Sequence, residues 1–420
     1  MNLNKKILDY SKFCVSGIEF IDGQKIDSFR GCVSYGVSIH EKVDIEKMNE
    51  ALGKLYHEVD CFHMHLSEAP GGVEYFFDEN ISEKAHIIIA EGNTVQERLE
   101  FAKQHLVEQS AKHRNRFENS PFWIELFTID ENETFLAAYL DRYISDGHSI
   151  GVALMKLLGY YENVVIPGGK SKESMRGYIK SLDTEERRNK AVKDADYWLN
   201  HLAGYIIEPY VKKSETNAFE DKNCIINIPK ASVIKASRAL RATLGNLLTA
   251  AYHLTLMTVF GSKDNVISYV STDRNTLDEW GIIGPFVKPL NSRISIELND
   301  SVKEFVKKIS VEAGENLKHK DAHIDDIKIN RYGMSFLNHS KPFLTNNLYT
   351  QWMPDLYMDQ VEADFIYLRI QELEEVVEVS FVCNRNRICK EDYESVVYNF
   401  QYYLETLRNN VDSKLIEIVR

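Results

Sequence analysis

The chain is poor in the residues that would staple, anchor or extend it. Six cysteines, at positions 14, 32, 61, 224, 383 and 389, are scattered through 420 residues with no Cys-x-x-Cys pair, which excludes a zinc knuckle and a disulfide framework as organising devices. Cys383 and Cys389 bracket a turn at Asn384-Arg385-Asn386-Arg387-Ile388 and read as reduced structural thiols. No run of ~18 apolar residues occurs, so no membrane-spanning helix is predicted. Met1-Asn2-Leu3-Asn4-Lys5-Lys6 is followed by too little apolar sequence for a secretory signal, and the expected location is the cytoplasm. Positive charge is in deficit: Lys+Arg 50 against Asp+Glu 63 gives 50 − 63 = −13. That balance argues against generalised binding to nucleic acid or an anionic membrane, while leaving room for a local basic patch that meets an acidic partner. Also missing are a phosphate-binding Gly-x-x-x-x-Gly-Lys, a dinucleotide Gly-x-Gly-x-x-Gly and a His-Glu-x-x-His zinc motif.

What is present is ample core-forming sequence. With 44% hydrophobic residues over 420 positions, the chain exceeds what one core usually supports, and two lobes are expected. Residues 31–39 alternate small or polar with apolar groups, the period of a strand with one buried face. Asp44 precedes an amphipathic stretch with an acidic first turn and predicts an N-capped helix over 45–56. Residues 62–66 and 73–77 read as a hairpin around Pro70-Gly71-Gly72. That assignment places His63 and His65 on one strand face, without a third metal ligand nearby in sequence. A second amphipathic helix is predicted over 95–109, and a strand over 121–129 pairs with the apolar run Thr134-Phe135-Leu136-Ala137-Ala138-Tyr139-Leu140. Alternating strands and helices predict an α/β or α+β first lobe. Residues 166–174 turn to Pro, Gly, Lys and Ser, a linker signal. One charged helix is predicted over 175–202, with Tyr178, Tyr197, Trp198 and Leu199 on its apolar face, followed by a polar loop over 209–223. The second lobe is predicted to open with a strand over 224–228, to carry strands over 367–373 and 377–382, and to close with a helix over 391–407.

The most informative stretch is Asp141-Arg142-Tyr143-Ile144-Ser145-Asp146-Gly147. It follows the apolar run at 134–140, which has the length of a buried strand. Ser149, Ile150, Val152, Leu154, Leu157, Leu158 and Tyr161 then recur at helical spacing, with Gly147 at the break where the chain must turn sharply. A loop at a strand end and under a helix N-terminus suits polar or anionic chemistry. His148 is the histidine nearest the loop, and its reading stays open between a displaced base and a partly exposed residue of the first helical turn. Ser145 lacks the Gly-x-Ser-x-Gly elbow of a nucleophile and reads as a hydroxyl lining a channel.

Together with three later segments, this loop resembles the condensation domains of nonribosomal peptide synthetases, within the chloramphenicol-acetyltransferase-like superfamily, whose signature is His-His-x-x-x-Asp-Gly. Asp146 and Gly147 match its last two positions. Asp141 stands at the first histidine and Arg142 at the second, so the motif is degenerate. Ala242 to Tyr252 is similar to the helix that opens the family's second lobe, Val266 to Asn275 to the following strand and its Gly-Arg-Asn-type end, and Gly281 to Arg293 to its Gly-x-Phe-x-Asn-x-x-x-x-Arg crossover. The likeness covers the chain from about residue 29 onward.

The resemblance implies an α/β (α+β) fold of two chloramphenicol-acetyltransferase-like lobes in a V arrangement with a central tunnel. The expected division is residues 1–170 for the lobe carrying the motif loop, 171–223 for a connecting helix and linker, and 224–420 for the second lobe. It implies acyl transfer from a phosphopantetheine thioester, on an acyl or peptidyl carrier protein or coenzyme A, to a small-molecule amine, with no bound cofactor and no metal. No carrier or adenylation module is visible, so the chain is expected to be freestanding and to meet its thioesters on separate carriers. The family's catalytic histidine would sit at Arg142, with Asp146 and His148 as the other catalytic candidates and Asp141, Tyr143, Ser145 and Gly147 lining the substrate path. The family also pairs the motif aspartate with a later arginine, which implies a buried, structural Asp146–Arg274 salt bridge. Arginine at the second histidine position also occurs in X domains, which resemble condensation domains but recruit oxygenases. The alternative expectation is therefore an inactive docking module for carriers or a tailoring enzyme.

Overall fold

The apolar run ahead of the motif is fully apolar because both of its faces are covered. The computed structural model describes residues 6–7, 19–21, 24–26, 32–69, 72–112, 118–164, 174–182, 184–206, 223–322, 331–337, 349–352, 365–385 and 387–420, and they form two compact units. In chain order the first unit contains β1 (Lys6–Ile7), β2 (Glu19–Ile21), β3 (Gln24–Ile26), β4 (Cys32–Ile39), α1 (Ile45–Glu58), β5 (Met64–Ala69), β6 (Gly72–Phe77), β7 (His86–Ile88), α2 (Val95–Ala111), β8 (Phe122–Thr128), β9 (Thr134–Asp141), α3 (Gly147–Glu162) and α4 (Met175–Leu182), joined late in the chain by β14 (Tyr349–Trp352). Its main sheet runs β14-β4-β9-β8-β7, and β9 is buried at every position. Leu136, Ala138 and Leu140 enter one core, with α1 and α3, while Phe135, Ala137 and Tyr139 enter another, with Ala102 and Leu106 of α2. The two-residue period of a strand divides the run in this way. Asp44 caps α1 as expected, its carboxylate accepting the Glu46 and Lys47 amides at 2.9 and 3.1 Å.

The second unit contains α5 (Glu185–His201), β10 (Cys224–Pro229), α6 (Lys230–Leu240), α7 (Leu244–Phe260), β11 (Asp264–Thr272), β12 (Val287–Ser295), α8 (Val302–Asn316), β13 (Tyr332–Leu337), β15 (Ile366–Glu372), β16 (Val376–Cys383) and α9 (Lys390–Asn409). Its six-stranded sheet runs β10-β16-β15-β13-β11-β12. Buried residues of α6, α7, α8 and α9 join this sheet in a single core.

Three sequence readings change. The helix expected over 175–202 is two helices, α4 ending at Leu182 and α5 starting at Glu185, and the sequence between them reads Asp-Thr, residue types that favour helix starts over helix interiors. His63 and His65 do not share a strand: His63 lies in a 3-10 turn (Asp60–His63) ahead of β5, its ring nitrogens 2.7 Å from the Tyr56 carbonyl and 3.0 Å from the Asp78 carbonyl. The compact units also do not follow a cut at 170 and 224. The first takes Met1–Thr184 with Asp273–Val287 and Lys341–Tyr357, and the second takes Glu185–Thr272, Lys288–Ser340 and Met358–Arg420. Long-range burial causes this, since Ile282, Ile283, Phe286 and Tyr349 pack into the first core far from their sequence neighbours. Strands β5 and β6 pair antiparallel, but the turn expected between them at 70–71 lies outside the described residues, as do 166–173 of the linker and 209–222 of the polar loop. Cys32, Cys61, Cys224, Cys383 and Cys389 are free thiols, and Cys14 lies outside the described residues. No described helix is long and apolar enough to cross a membrane.

Candidate active site

The antiparallel register of β4 with β9 sets Cys32 opposite Asp141 and so fixes where the motif begins. The Asp141 amide donates to the Pro121 carbonyl at 2.8 Å, and its carboxylate accepts the Tyr143 amide at 3.2 Å, starting a 3-10 turn over Arg142–Ile144. The Ser145 hydroxyl donates back to the Asp141 carbonyl at 2.8 Å. The Tyr143 hydroxyl donates to the Met64 carbonyl of β5 at 2.9 Å. Asp141, Tyr143 and Ser145 are all buried, and these bonds are spent on the loop's own shape. Arg142, at the head of the turn, is half-buried. Burial pushes the neighbouring Cys32 thiol up to about 12, with Asp141 adding to the rise and Arg142 opposing it.

Asp146 is the hub of the next turn. It caps α3, whose first residue is Gly147. One carboxylate oxygen accepts the Ser149 amide at 3.0 Å and the Ser149 hydroxyl lies 2.8 Å from the same atom. The other oxygen takes the Arg274 guanidinium in a salt bridge whose two side chains are 1% and 3% exposed, and the Phe286 amide at 3.2 Å. Arg274 completes its set with the Ile282 carbonyl at 3.0 Å and the Ser149 hydroxyl at 3.1 Å, and lies over the Phe286 ring at 4.1 Å. This pairing matters because a buried charge is tolerated only when paired and hydrogen-bonded. Both oxygens of the Asp146 carboxylate are thus engaged by donors of the loop, Arg274 and Phe286.

His148 places Nε2 2.8 Å from the Trp280 carbonyl, and its ring meets the Trp280 ring edge-on at 5.0 Å. A carbonyl only accepts, so Nε2 carries the proton in the neutral ring. Burial lowers the imidazole pKa, and the Arg274 cation lowers it further. Neutral His148 therefore ties the start of α3 to the 3-10 turn at Glu279–Gly281.

Sequence reading missed Ser149, Tyr178, Asp273 and Gly284. Ser149 was legible as the third residue after the cap Asp146, the spacing of a capping box. The others carry no local signal. The Tyr178 hydroxyl donates to Asp273 at 3.1 Å, and the Tyr178 and Phe286 rings sit 4.2 Å apart. Gly284 lets the chain pass where a Cβ would come within 2.9 Å of the Met175 sulfur and 2.8 Å of the Phe286 ring. Among the described residues no cluster of three His, Cys, Asp or Glu side chains suited to a metal occurs.

The family model for the condensation domain matches residues 32–356. Among curated proteins, surfactin synthase subunit 1 of Bacillus subtilis is 26% identical over 211 residues, which is 48% of this chain and 6% of that protein. Bacitracin synthase 1 of Bacillus licheniformis is 20% identical over 314 residues, 70% of this chain and 6% of that protein. The matches thus span only a small part of these much longer relatives. Among solved structures, the X-domain from teicoplanin biosynthesis superposes with a TM-score of 0.75 at 16% identity, covering 93% of each chain. The first condensation domain of the CDA synthetase gives 0.69 at 14% identity, covering 93% of this chain and 94% of that one. At these identities the likeness establishes the fold. The X-domain has also been solved in complex with OxyB, and the starter condensation domain of rhizomide synthetase, a mutant form, with C8-CoA.

Proposed function

Because the chain belongs to the condensation-domain family, we propose that it transfers an acyl or aminoacyl group from a phosphopantetheine thioester to an amine, using a fixed cation where the family places a base. The observation that supports this most is the loop scaffold, with Asp146, Ser149 and Arg274 bonded to one another and the residue at the histidine position held at the head of its turn. In this reaction the amine nitrogen bonds to the thioester carbonyl carbon, the C–S bond breaks, and the phosphopantetheine thiol leaves with its electron pair. The ammonium proton passes to solvent or to the departing thiolate. An amine arriving in its neutral form needs position more than deprotonation, and placement alone is worth roughly 7–11 kcal/mol in favourable systems.

Arg142 stays protonated throughout, so its role is to donate hydrogen bonds to the oxyanion that develops on the thioester carbonyl. Asp146 and Arg274 position the loop, and His148 anchors the Trp280 turn. Asp141, Tyr143, Ser145 and Gly147 shape the path to the thioester. The thioester arrives on an acyl or peptidyl carrier protein or as coenzyme A.

A second reading, a docking module without turnover, draws on the likeness to the teicoplanin X-domain. The two separate in one experiment. The protein is incubated with carrier-bound and CoA thioesters and an amine library, and amide products are followed by mass spectrometry beside Arg142→Ala and Arg142→His. Products above the no-protein control that fall roughly 100-fold in Arg142→Ala, the scale of a lost oxyanion donor, support transfer. Wild type matching the control across the panel, or activity gained only in Arg142→His, overturns it.

A further inference from the structure

Residues 223–263 contain no Asp or Glu, in a chain whose formal net charge is −13. Helix α6 lies in this stretch. It buries Val233, Ala236, Ser237 and Leu240 against the second core and turns Lys235 and Arg238 outward. Arg241 follows, exposed, at the helix C-cap. Residues at i and i+3 are neighbours on a helix surface, so the three cations form one continuous strip. Among the described residues none of them has an ion-pair or side-chain hydrogen-bond partner. Arg408 of α9 extends the strip at its other end, where its guanidinium donates to Ser232 at 2.6 Å. The Arg241 φ of 52° is left-handed, a C-cap conformation that glycine adopts without strain and that a side chain disfavours. The helix dipole accounts for a cation near the last turn but not for Lys235 in the helix body, nor for the missing carboxylates.

We propose that this strip on α6 docks an acidic carrier domain, one whose own helix displays carboxylates at i, i+3 and i+4 spacing. The inference rests on the proposed use of carrier-bound thioesters. A convex row of three to four cations matches a short acidic helix. A long polyanion such as nucleic acid, or an anionic membrane, would also meet the negative remainder of the chain.

The test measures binding, not turnover. A panel of phosphopantetheinylated carrier domains is titrated into the full chain at two salt concentrations, with free coenzyme A, heparin and phosphatidylserine vesicles as separate arms. Expected is saturable binding of acidic carriers that weakens with salt. It should fall at least about tenfold in Lys235→Glu/Arg238→Glu/Arg241→Glu, and less in Lys235→Gln/Arg238→Gln, which leaves the C-cap intact. Both variants are checked for an unchanged circular dichroism spectrum. No carrier binding to the wild type, equal binding by the Gln variant and the wild type, or tighter binding of coenzyme A, heparin or vesicles would overturn the proposal. No carrier binding by the wild type, with turnover of CoA thioesters intact, counts against the surface alone. Docking without turnover counts against the chemistry alone.

Discussion

At position 142 a guanidinium stands where an imidazole would titrate, and the buried pair beside it sets what the loop tolerates. Removing Arg274 leaves the Asp146 carboxylate buried without its cationic partner, so Arg274→Ala should cost about 3–5 kcal/mol in urea denaturation, with the double variant Asp146→Ala/Arg274→Ala recovering part of it. An unchanged midpoint for Arg274→Ala would mean that the pair is not holding the loop. A second residue-level outcome concerns His253, fully buried on α7, with Nε2 3.0 Å from the Ser292 hydroxyl. Burial lowers its pKa to about 3, with Asp264 opposing. Below the unfolded value of ~6.5 the unfolded chain takes up a proton that the folded chain refuses, so stability falls as pH drops, by about 1.4 kcal/mol per pH unit down to about pH 3. Between pH 7 and pH 5 this residue should account for roughly 2 kcal/mol of lost stability. His253→Asn should flatten the dependence by that amount, and an identical slope in the two proteins would refute the assignment.

At the scale of elements, the segment Asp273–Val287 joins the motif loop to α4 through contacts that only glycine permits. Gly284→Ala forces a methyl against the Met175 sulfur and the Phe286 ring, and should destabilise the first unit by about 1–3 kcal/mol, the usual cost of overpacking, read as a lower thermal midpoint. Gly261, at an exposed C-cap with nothing within 4 Å of its added Cβ, is a useful contrast: there Ala suffers only from the positive φ. The same segment shows how far sequence carries. Strand β9, the Asp44 cap and α3 were legible because period, capping residue and glycine lie side by side in the chain. Asp146–Arg274 was legible only through family resemblance, since a salt bridge across 128 residues has no local pattern. The Tyr178–Asp273 bond and the discontinuous units were not legible at all, because they depend on which distant surfaces meet. The division between α4 and α5 had a sequence signal in Asp183-Thr184, but helical periodicity on both sides outweighed it.

At the scale of the whole molecule, the proposed reaction combines a condensation-domain fold with Arg142 as a source of charge and position rather than as a base. Its pH dependence is therefore the most direct test of the account. Steady-state kcat/KM for a CoA or carrier thioester and an amine acceptor should rise with pH only as the acceptor amine itself deprotonates. It should show no inflection near the imidazole range of ~6.5, and Arg142→Ala should lower the whole curve roughly 100-fold without changing its shape. An inflection at or below about 6.5 that disappears in His148→Asn, or an Arg142→Ala protein as fast as wild type, would contradict the claim that a permanent cation does the work of the missing histidine.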